Sequence, residues 1–268
     1  MRKISILLVA PLLTFTIFSA CNKPEGCTDP AALNYDPDAE VDKGCEYAPD
    51  AYAVQMHMHQ FINGGALVEG SNYTINGTVT TMDLAQFYVS GITLVDAQGV
   101  EHTAEDVYLL VRPEEEAYSI GNFPPGDYTK VIFNIGVDSI TNHADPSVYA
   151  IGDPLGAQSP SMHWGWSFGY IFMRIDGEVD SDGDSAPDPA GYFEMHVGDD
   201  HYLATIELDY NFTIGESNEN IVHLEADWDT FFSGVDMVND NTFHGTDNVP
   251  LANLVFDNIF NMFSVEEE

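Results

Sequence analysis

Basic residues are scarce in this 268-residue chain, which has 7 Lys and Arg against 44 Asp and Glu and a formal net charge of −37. So few cations cannot neutralise a phosphate backbone, and the composition therefore excludes a nucleic-acid partner. The acidity also raises the local concentration of cations around the protein. Because 44% of the residues are hydrophobic and 12% are aromatic, the chain can bury a full core and is not a disordered acidic tail.

Long apolar runs are missing after the first twenty residues. Arg2 and Lys3 precede an apolar run over residues 4–18, which is shorter than the roughly 20 residues of a membrane span and is typical of a secretion signal. The run ends at a Phe-Ser-Ala-Cys junction that resembles a lipobox, implying cleavage before Cys21 and acylation of its thiol. The alternative is a plain signal peptide. We predict a signal peptide over residues 1–20 and an exported protein anchored by lipid to the outer membrane, on its periplasmic or surface side.

Cysteine is also rare, with three in the chain. With Cys21 acylated, Cys27 and Cys45 remain, and in an oxidising compartment such a pair most often forms a disulfide. The stretch between them is acidic and rich in turn formers, and it resembles the short cysteine-bracketed modules of secreted bacterial proteins. We interpret residues 21–48 as the acylated cysteine followed by an acidic spacer module, and residues 50–268 as one domain.

Short runs rich in Val, Ile, Tyr, Phe and Thr recur between Gly, Pro, Asn and Asp clusters, a pattern typical of an antiparallel sandwich or barrel. The predicted strands are 52–62, 73–79, 84–95, 106–111, 118–123, 127–137, 169–178, 191–198, 203–210, 212–214 and 220–227. A three-four spacing of apolar residues predicts an amphipathic helix over Val249–Phe263. The predicted fold is all-β, an antiparallel β-sandwich with long loops and a short C-terminal helix.

An acidic loop separates two predicted strands that we expect to form a hairpin. Its carboxylates belong to Asp180, Asp182, Asp184 and Asp188, and calcium prefers many oxygen ligands of this kind. The segment resembles the calcium loops of thrombospondin type 3 repeats. A structural calcium site and a merely solvated acidic loop are the two alternatives.

Catalytic motifs are absent from the sequence: there is no Gly-x-Ser-x-Gly elbow, no His-Glu-x-x-His, no Walker loop and no dinucleotide glycine pattern. We therefore predict a binding protein rather than an enzyme. A copper oxidase is the remaining enzymatic alternative, and it would need an open coordination position.

Nine histidines stand out in a chain with so few other cations, and several adjoin methionine or tryptophan. In the predicted strand 52–62, alternation sends His57 and His59 to one face and Met56 and Met58 to the other. Imidazole with soft sulfur is a copper-like ligand set. The alternative is two partly exposed histidines opposite two core methionines.

Two further histidines lie in aromatic segments. His163 precedes Trp164 and Trp166, and His196 lies in Phe193–Gly198. If the strands around the acidic loop pair, His196 lies toward the same end as His163 and Trp164. The remaining histidines are interpreted as surface or turn residues: His102, His143, His201, His223 and His244.

Several segments, in order along the chain, carry a family resemblance. They are Leu84–Val95, Val131–Ser139, His163–Ile171, Phe193–Gly198 and Asn261–Val265. On these segments the chain resembles the MbnP-like proteins, which include partners of methanobactin operons and are similar in theme to the MopE and CorA copper proteins.

The resemblance implies a periplasmic or surface β-sandwich that binds copper near a tryptophan oxidised to kynurenine by a MauG- or MbnH-like di-haem enzyme. It points to His196 first, then His59 and His57, with His163 beside the modified residue. Trp164 is preferred over Trp166 because it adjoins His163. The function expected is copper capture, storage or delivery. The alternative is a non-catalytic surface interaction lipoprotein with a structural calcium loop.

Overall fold

The chain divides into two compact units, one within Met1–Pro49 and the other Asp50–Glu268. The computed structural model describes residues 23–28, 32–46, 50–165, 169–216 and 218–266. The predicted signal peptide, Cys21 and Trp166 lie outside these residues. No helix among the described residues is both long and apolar enough to cross a membrane.

The first unit contains two short parallel strands, β1 (Glu25–Gly26) and β2 (Val41–Asp42). A disulfide joins Cys27 to Cys45, and their Cα atoms are 4.7 Å apart. The bridge therefore closes the acidic segment into a loop whose ends are held together covalently.

The second unit consists mostly of strands. These are β3 (Tyr52–Ile62), β4 (Gly65–Ala66), β5 (Ser71–Ile75), β6 (Thr78–Asp96), β7 (Glu101–Thr103), β8 (Tyr108–Val111), β9 (Ala117–Phe123), β10 (Gly126–Ile135), β11 (His163–Gly165), β12 (Gly169–Val179), β13 (Asp188–Gly198), β14 (Ala204–Ile214), β15 (Ile221–Asp227), β16 (Phe243–His244) and β17 (Phe263–Val265). The helices are α1 (Ser139–Asn142), α2 (Trp228–Phe231) and α3 (Val249–Met262), with 3₁₀ turns at Pro146–Val148 and Asp200–Tyr202.

These strands form two sheets. The larger has ten strands in the order β14-β10-β6-β12-β13-β16, with β5, β7 and β8 also paired to β6 and β11 paired to β12. The smaller has five strands in the order β17-β15-β3-β4, with β9 also paired to β3. Most pairs are antiparallel, whereas β15 runs parallel to β3 and β16 parallel to β13. The predicted all-β sandwich is confirmed.

One hydrophobic core lies between the two sheets. It includes Met56 and Met58 from β3 of the smaller sheet and Met195 and Val197 from β13 of the larger sheet, all almost fully buried. Because successive side chains of a strand point to opposite faces, the residues between them point outward. A second hydrophobic cluster, which includes Tyr88 of β6 and Phe172 of β12, covers part of the outer face of the larger sheet. Polar side chains such as His57 and His196 occupy other outward positions.

The predicted C-terminal helix is confirmed as α3. The Asn248 side chain accepts the N–H of Leu251 and caps its first turn, and proline fits there because the first helical N–H groups have no intrahelical partner. The helix buries its apolar side against the core through Leu251, Ala252, Val255, Ile259 and Met262.

Some strand boundaries differ from the predicted ones. The predicted strand 73–79 is interrupted by a hairpin turn at Asn76 and Gly77, both with positive φ, between β5 and β6. Asn-Gly is the pair that favours such turns. The short strands β11, β16 and β17 were not predicted, because two or three residues are too few to show a period of two.

Candidate metal centres

The acidic loop joins β12 and β13 in an antiparallel hairpin, as predicted. Register places Arg174 opposite His196 and Asp176 opposite Glu194, while β16 places His244 beside His196. The inward neighbours of the two histidines on these strands, Met195 and Phe243, are fully buried in the core. The polar side chains thus share the outer face of the larger sheet.

His196 and Asp176 form a buried pair on this face, with only 4% and 5% of each residue exposed. Nε2 of the imidazole lies 2.6 Å from Oδ1 of the carboxylate. Arg174 lies 2.7 Å from the second carboxylate oxygen and also donates to the carbonyl oxygen of Ser161. Burial by itself raises the pKa of Asp176, but the hydrogen bonds from His196 and Arg174 outweigh it and hold that pKa below its usual range.

The other ring nitrogen of His196, Nδ1, is buried and has no hydrogen-bond partner. The ring of His244 meets that of His196 edge to face at a centroid distance of 4.8 Å. Glu194 lies 3.1 Å from Nε2 of His244. Glu194, His196 and His244 each offer a ligand atom within 4.8 Å of the others, and we call these three residues the His196 centre.

Trp164 packs at the end of the strands that carry this centre. A Cβ built on Gly198 would lie 2.5 Å from Cζ3 of the indole, and one on Gly245 would lie 3.4 Å from Cη2. Gly198 follows His196 by two residues and Gly245 follows His244 directly. The missing side chains therefore leave the space that the indole fills next to the His196 centre.

Within the described residues, His163 belongs to none of the groups of side chains that could hold a metal ion. Its ring packs edge to face on Tyr170 at 4.7 Å, and its Nδ1 accepts the N–H of Gly165. Burial lowers the pKa of its imidazole. The structure does not bring His163 to the other predicted ligands, and a role for it in copper binding stays a prediction.

A second histidine group lies on the outer face of the smaller sheet. It consists of His57 and His59 on β3 and His223 on β15, and we call it the histidine triad. The parallel register places His223 beside His57, and their ring centroids are 5.0 Å apart. Burial lowers the pKa of His57, and so does the charge that His223 and His59 carry when protonated.

The structure divides the predicted ligands His57, His59 and His196 between two groups. His57 and His59 do not meet His196, because the two groups lie on opposite outer faces of the sandwich. His223 and His244, interpreted from sequence as surface or turn residues, each complete a group of three.

The acidic loop brings together Asp180, Asp182 and Asp188, whose carboxylate oxygens lie within 4.8 Å of one another. Asp184 is not part of this group and instead accepts the N–H of Ala186. The loop backbone also donates to its own carboxylates, for example from Gly183 and Ser185 to Asp180. Calcium binding here stays a prediction.

The family model described as MbnP matches residues 51–248 of the chain. A solved structure, MbnP from Methylosinus trichosporium, is similar with a TM-score of 0.53 and 18% sequence identity, covering 78% of this chain and 88% of that chain. At this identity the likeness shows the fold alone. No curated protein matches the chain.

Proposed function

The chain belongs to the MbnP family, and from this premise we propose that it is an exported lipoprotein that binds copper at the His196 centre. One observation carries the proposal. The imidazole of His196 is buried, held through Nε2 by Asp176, and has no hydrogen-bond partner at Nδ1. A carboxylate on one ring nitrogen is what orients the other nitrogen of a histidine toward a metal.

The donors of the His196 centre fit copper. Two imidazoles and one carboxylate form a borderline ligand set, and among first-row divalent ions such sets bind Cu²⁺ most tightly. The extreme negative charge of the chain favours the approach of cations. We propose capture, storage or delivery of copper rather than catalysis.

The position of Trp164 supports the second part of the proposal, its oxidation to kynurenine. This conversion is a four-electron oxidation that cleaves the C2–C3 bond of the indole and takes two oxygen atoms from water. Hydrolysis then releases C2 as formate and leaves a ketone and an aniline. A di-haem partner of the MauG class would supply the oxidising equivalents. Cζ3 and Cη2 of the six-membered ring pack on Gly198 and Gly245, so the residue that would be modified lies beside the strands that carry His196 and His244. The new ketone and aniline would arise on the opposite edge of that ring.

The test is metal analysis of the full chain purified with and without its di-haem partner. We expect copper bound to the wild type, with one equivalent lost in His196→Ala and in His244→Ala. His143→Ala is the matched control, because His143 pairs with Asp200 and belongs to neither histidine group. Peptide mass spectrometry should place kynurenine at Trp164 only after co-expression. A copper content in both centre variants equal to that of the wild type, or no copper in the wild type, contradicts the proposal.

A further inference from the structure

The histidine triad lies away from the His196 centre, on the other outer face of the sandwich. His57 and His59 alternate along β3 with the core residues Met56 and Met58, so their rings do not contribute to the packing between the sheets. His223 joins them through the parallel pairing of β15 with β3. The three imidazoles are thus neighbours on the outer face of the smaller sheet, where they do not contribute to the core.

The geometry of the triad suits a single ion. The ligand nitrogens lie within 4.8 Å of one another, and two nitrogens held about 2.0 Å from the same metal are at most about 4 Å apart. Closing the group around an ion therefore needs side-chain shifts of about 1 Å or less. The rings of His59 and His223 are already nearly parallel, with an interplanar angle of 8°.

A buried, unpartnered nitrogen points to a ligand here as well. Nδ1 of His223 is buried and makes no hydrogen bond, although Oε2 of Glu266 lies 3.3 Å away. The same carboxylate oxygen lies 3.6 Å from Nε2 of His59. One carboxylate therefore faces two of the three imidazoles at distances that an intervening cation would bridge.

We propose that His57, His59 and His223, together with Glu266, form a second metal site that binds a divalent transition ion, Cu²⁺ in preference to Zn²⁺. Three imidazoles and one carboxylate are borderline donors, for which the affinity order of divalent ions places copper above zinc. The proposal rests neither on the His196 centre nor on the oxidation of Trp164.

The second site differs from the His196 centre in its access to solvent. His223 and Glu266 line an open groove of about 880 Å³. The side chain of His223 is 33% exposed. His196 is almost completely buried. The triad therefore exchanges its ion with solvent faster than the His196 centre does.

The experiment compares metal binding by the full chain and matched variants after removal of metal with a chelator. Cu²⁺ and Zn²⁺ are each titrated by calorimetry, and copper is counted after dialysis. We expect His223→Ala and the double variant His57→Ala/His59→Ala each to lose one equivalent of Cu²⁺ while keeping the other. His196→Ala should show the reverse pattern, and His143→Ala should bind as the wild type does.

Folding is monitored by circular dichroism of the metal-free proteins, and His223→Gln provides a variant that keeps the size of the side chain. Electron paramagnetic resonance of Cu²⁺ in His196→Ala should show coupling to several imidazole nitrogens, which His223→Gln in the same background should reduce. Unchanged copper stoichiometry and affinity in His223→Ala and His223→Gln would overturn the proposal. Tighter binding of Zn²⁺ than of Cu²⁺ would overturn the stated preference.

Discussion

Replacing Asp176 by asparagine tests how the His196 centre is held. The carboxylate accepts from Nε2 of His196 at 2.6 Å and pairs with Arg174, whose Nε and Nη2 lie 2.8 and 2.7 Å from Oδ2. Asparagine keeps the shape and one acceptor oxygen but removes the charge. Arg174, with 15% of its side chain exposed, then loses its counter-ion in a mostly buried position.

Breaking a buried ion pair by removing one partner costs about 3–5 kcal/mol. Arg174 keeps some solvent contact and still donates to the carbonyl oxygen of Ser161. We therefore expect the free energy of unfolding to fall by about 3 kcal/mol, the lower end of this range. For a domain of this size that corresponds to a fall in melting temperature of about 6–12 °C. Loss of a carboxylate that orients a metal-binding histidine lowers metal affinity by about 10- to 100-fold.

The assay is thermal and urea unfolding of the metal-free protein, followed by copper titration of the folded variant. The control is Asp209→Asn, an exposed position on β14, where we expect a change within about 0.5 kcal/mol. If the free energy of unfolding of Asp176→Asn changes no more than that of this control, the ion pair of Asp176 with Arg174 does not stabilise the fold. If its copper affinity is unchanged, Asp176 does not orient His196 toward a metal.

Three further predictions concern other parts of the second unit. Gly198→Ala should displace the Trp164 indole, which lies 2.5 Å from the added Cβ, and should cost about 1–3 kcal/mol in unfolding experiments. Gln60→Leu should cost about 1–3 kcal/mol, because it leaves the fully buried Nε1 of Trp228 without its acceptor at 3.0 Å. Burial raises the pKa of Glu69 above its ordinary 4.5, so the folded state holds a proton there more tightly than the unfolded state does. The contribution of Glu69 to stability therefore falls as the pH rises above 4.5 through its raised pKa, and Glu69→Gln should remove this contribution.

Each of these predictions has its own control. Gly65→Ala meets no neighbouring atom within 4 Å, so a loss equal to that of Gly198→Ala would show that crowding of the indole is not the cause. The cost of Gln60→Leu should vanish in a Trp228→Phe background, which has no N–H to satisfy. For Glu69, the difference in melting temperature between variant and wild type should grow from pH 4.5 to pH 8, and a constant difference would contradict the sign.

The sequence was most informative for secondary-structure elements that are long enough to show their side-chain periodicity. The eleven residues of β3 alternate between core and surface without interruption, so both its bounds and the common face of His57 and His59 could be predicted. The apolar spacing of α3 likewise predicted its extent and its buried side. In both elements, the face that the sequence periodicity predicts to be buried is the face that packs against the core.

The partners of these histidines could not be predicted, because strand pairing brings them from distant parts of the chain. His223 meets His57 only through the parallel register of β15 with β3. His244 meets His196 through a strand of two residues, Phe243–His244. Alternation fixes the face that each histidine occupies, but it specifies neither the neighbouring strand nor shifts of the register by two residues.

Strand alternation also explains why the two proposed metal sites lie outside the core between the sheets. In β3 and β13 the residues beside the histidines, Met58 and Met195, supply the core contacts, while the imidazoles lie on the outer faces. Replacing His57 or His59 by alanine removes no core contact, and replacing His196 leaves the pair of Asp176 with Arg174 in place. Loss of metal from the His57 or His59 variant, with the metal-free melting temperature nearly unchanged, therefore measures ligation separately from folding. Replacing His196 also removes the buried hydrogen bond to Asp176 and should lower that temperature. Because outer-face residues are not constrained by the core, the ligand set of a chain with this fold has to be identified from its own outer-face residues.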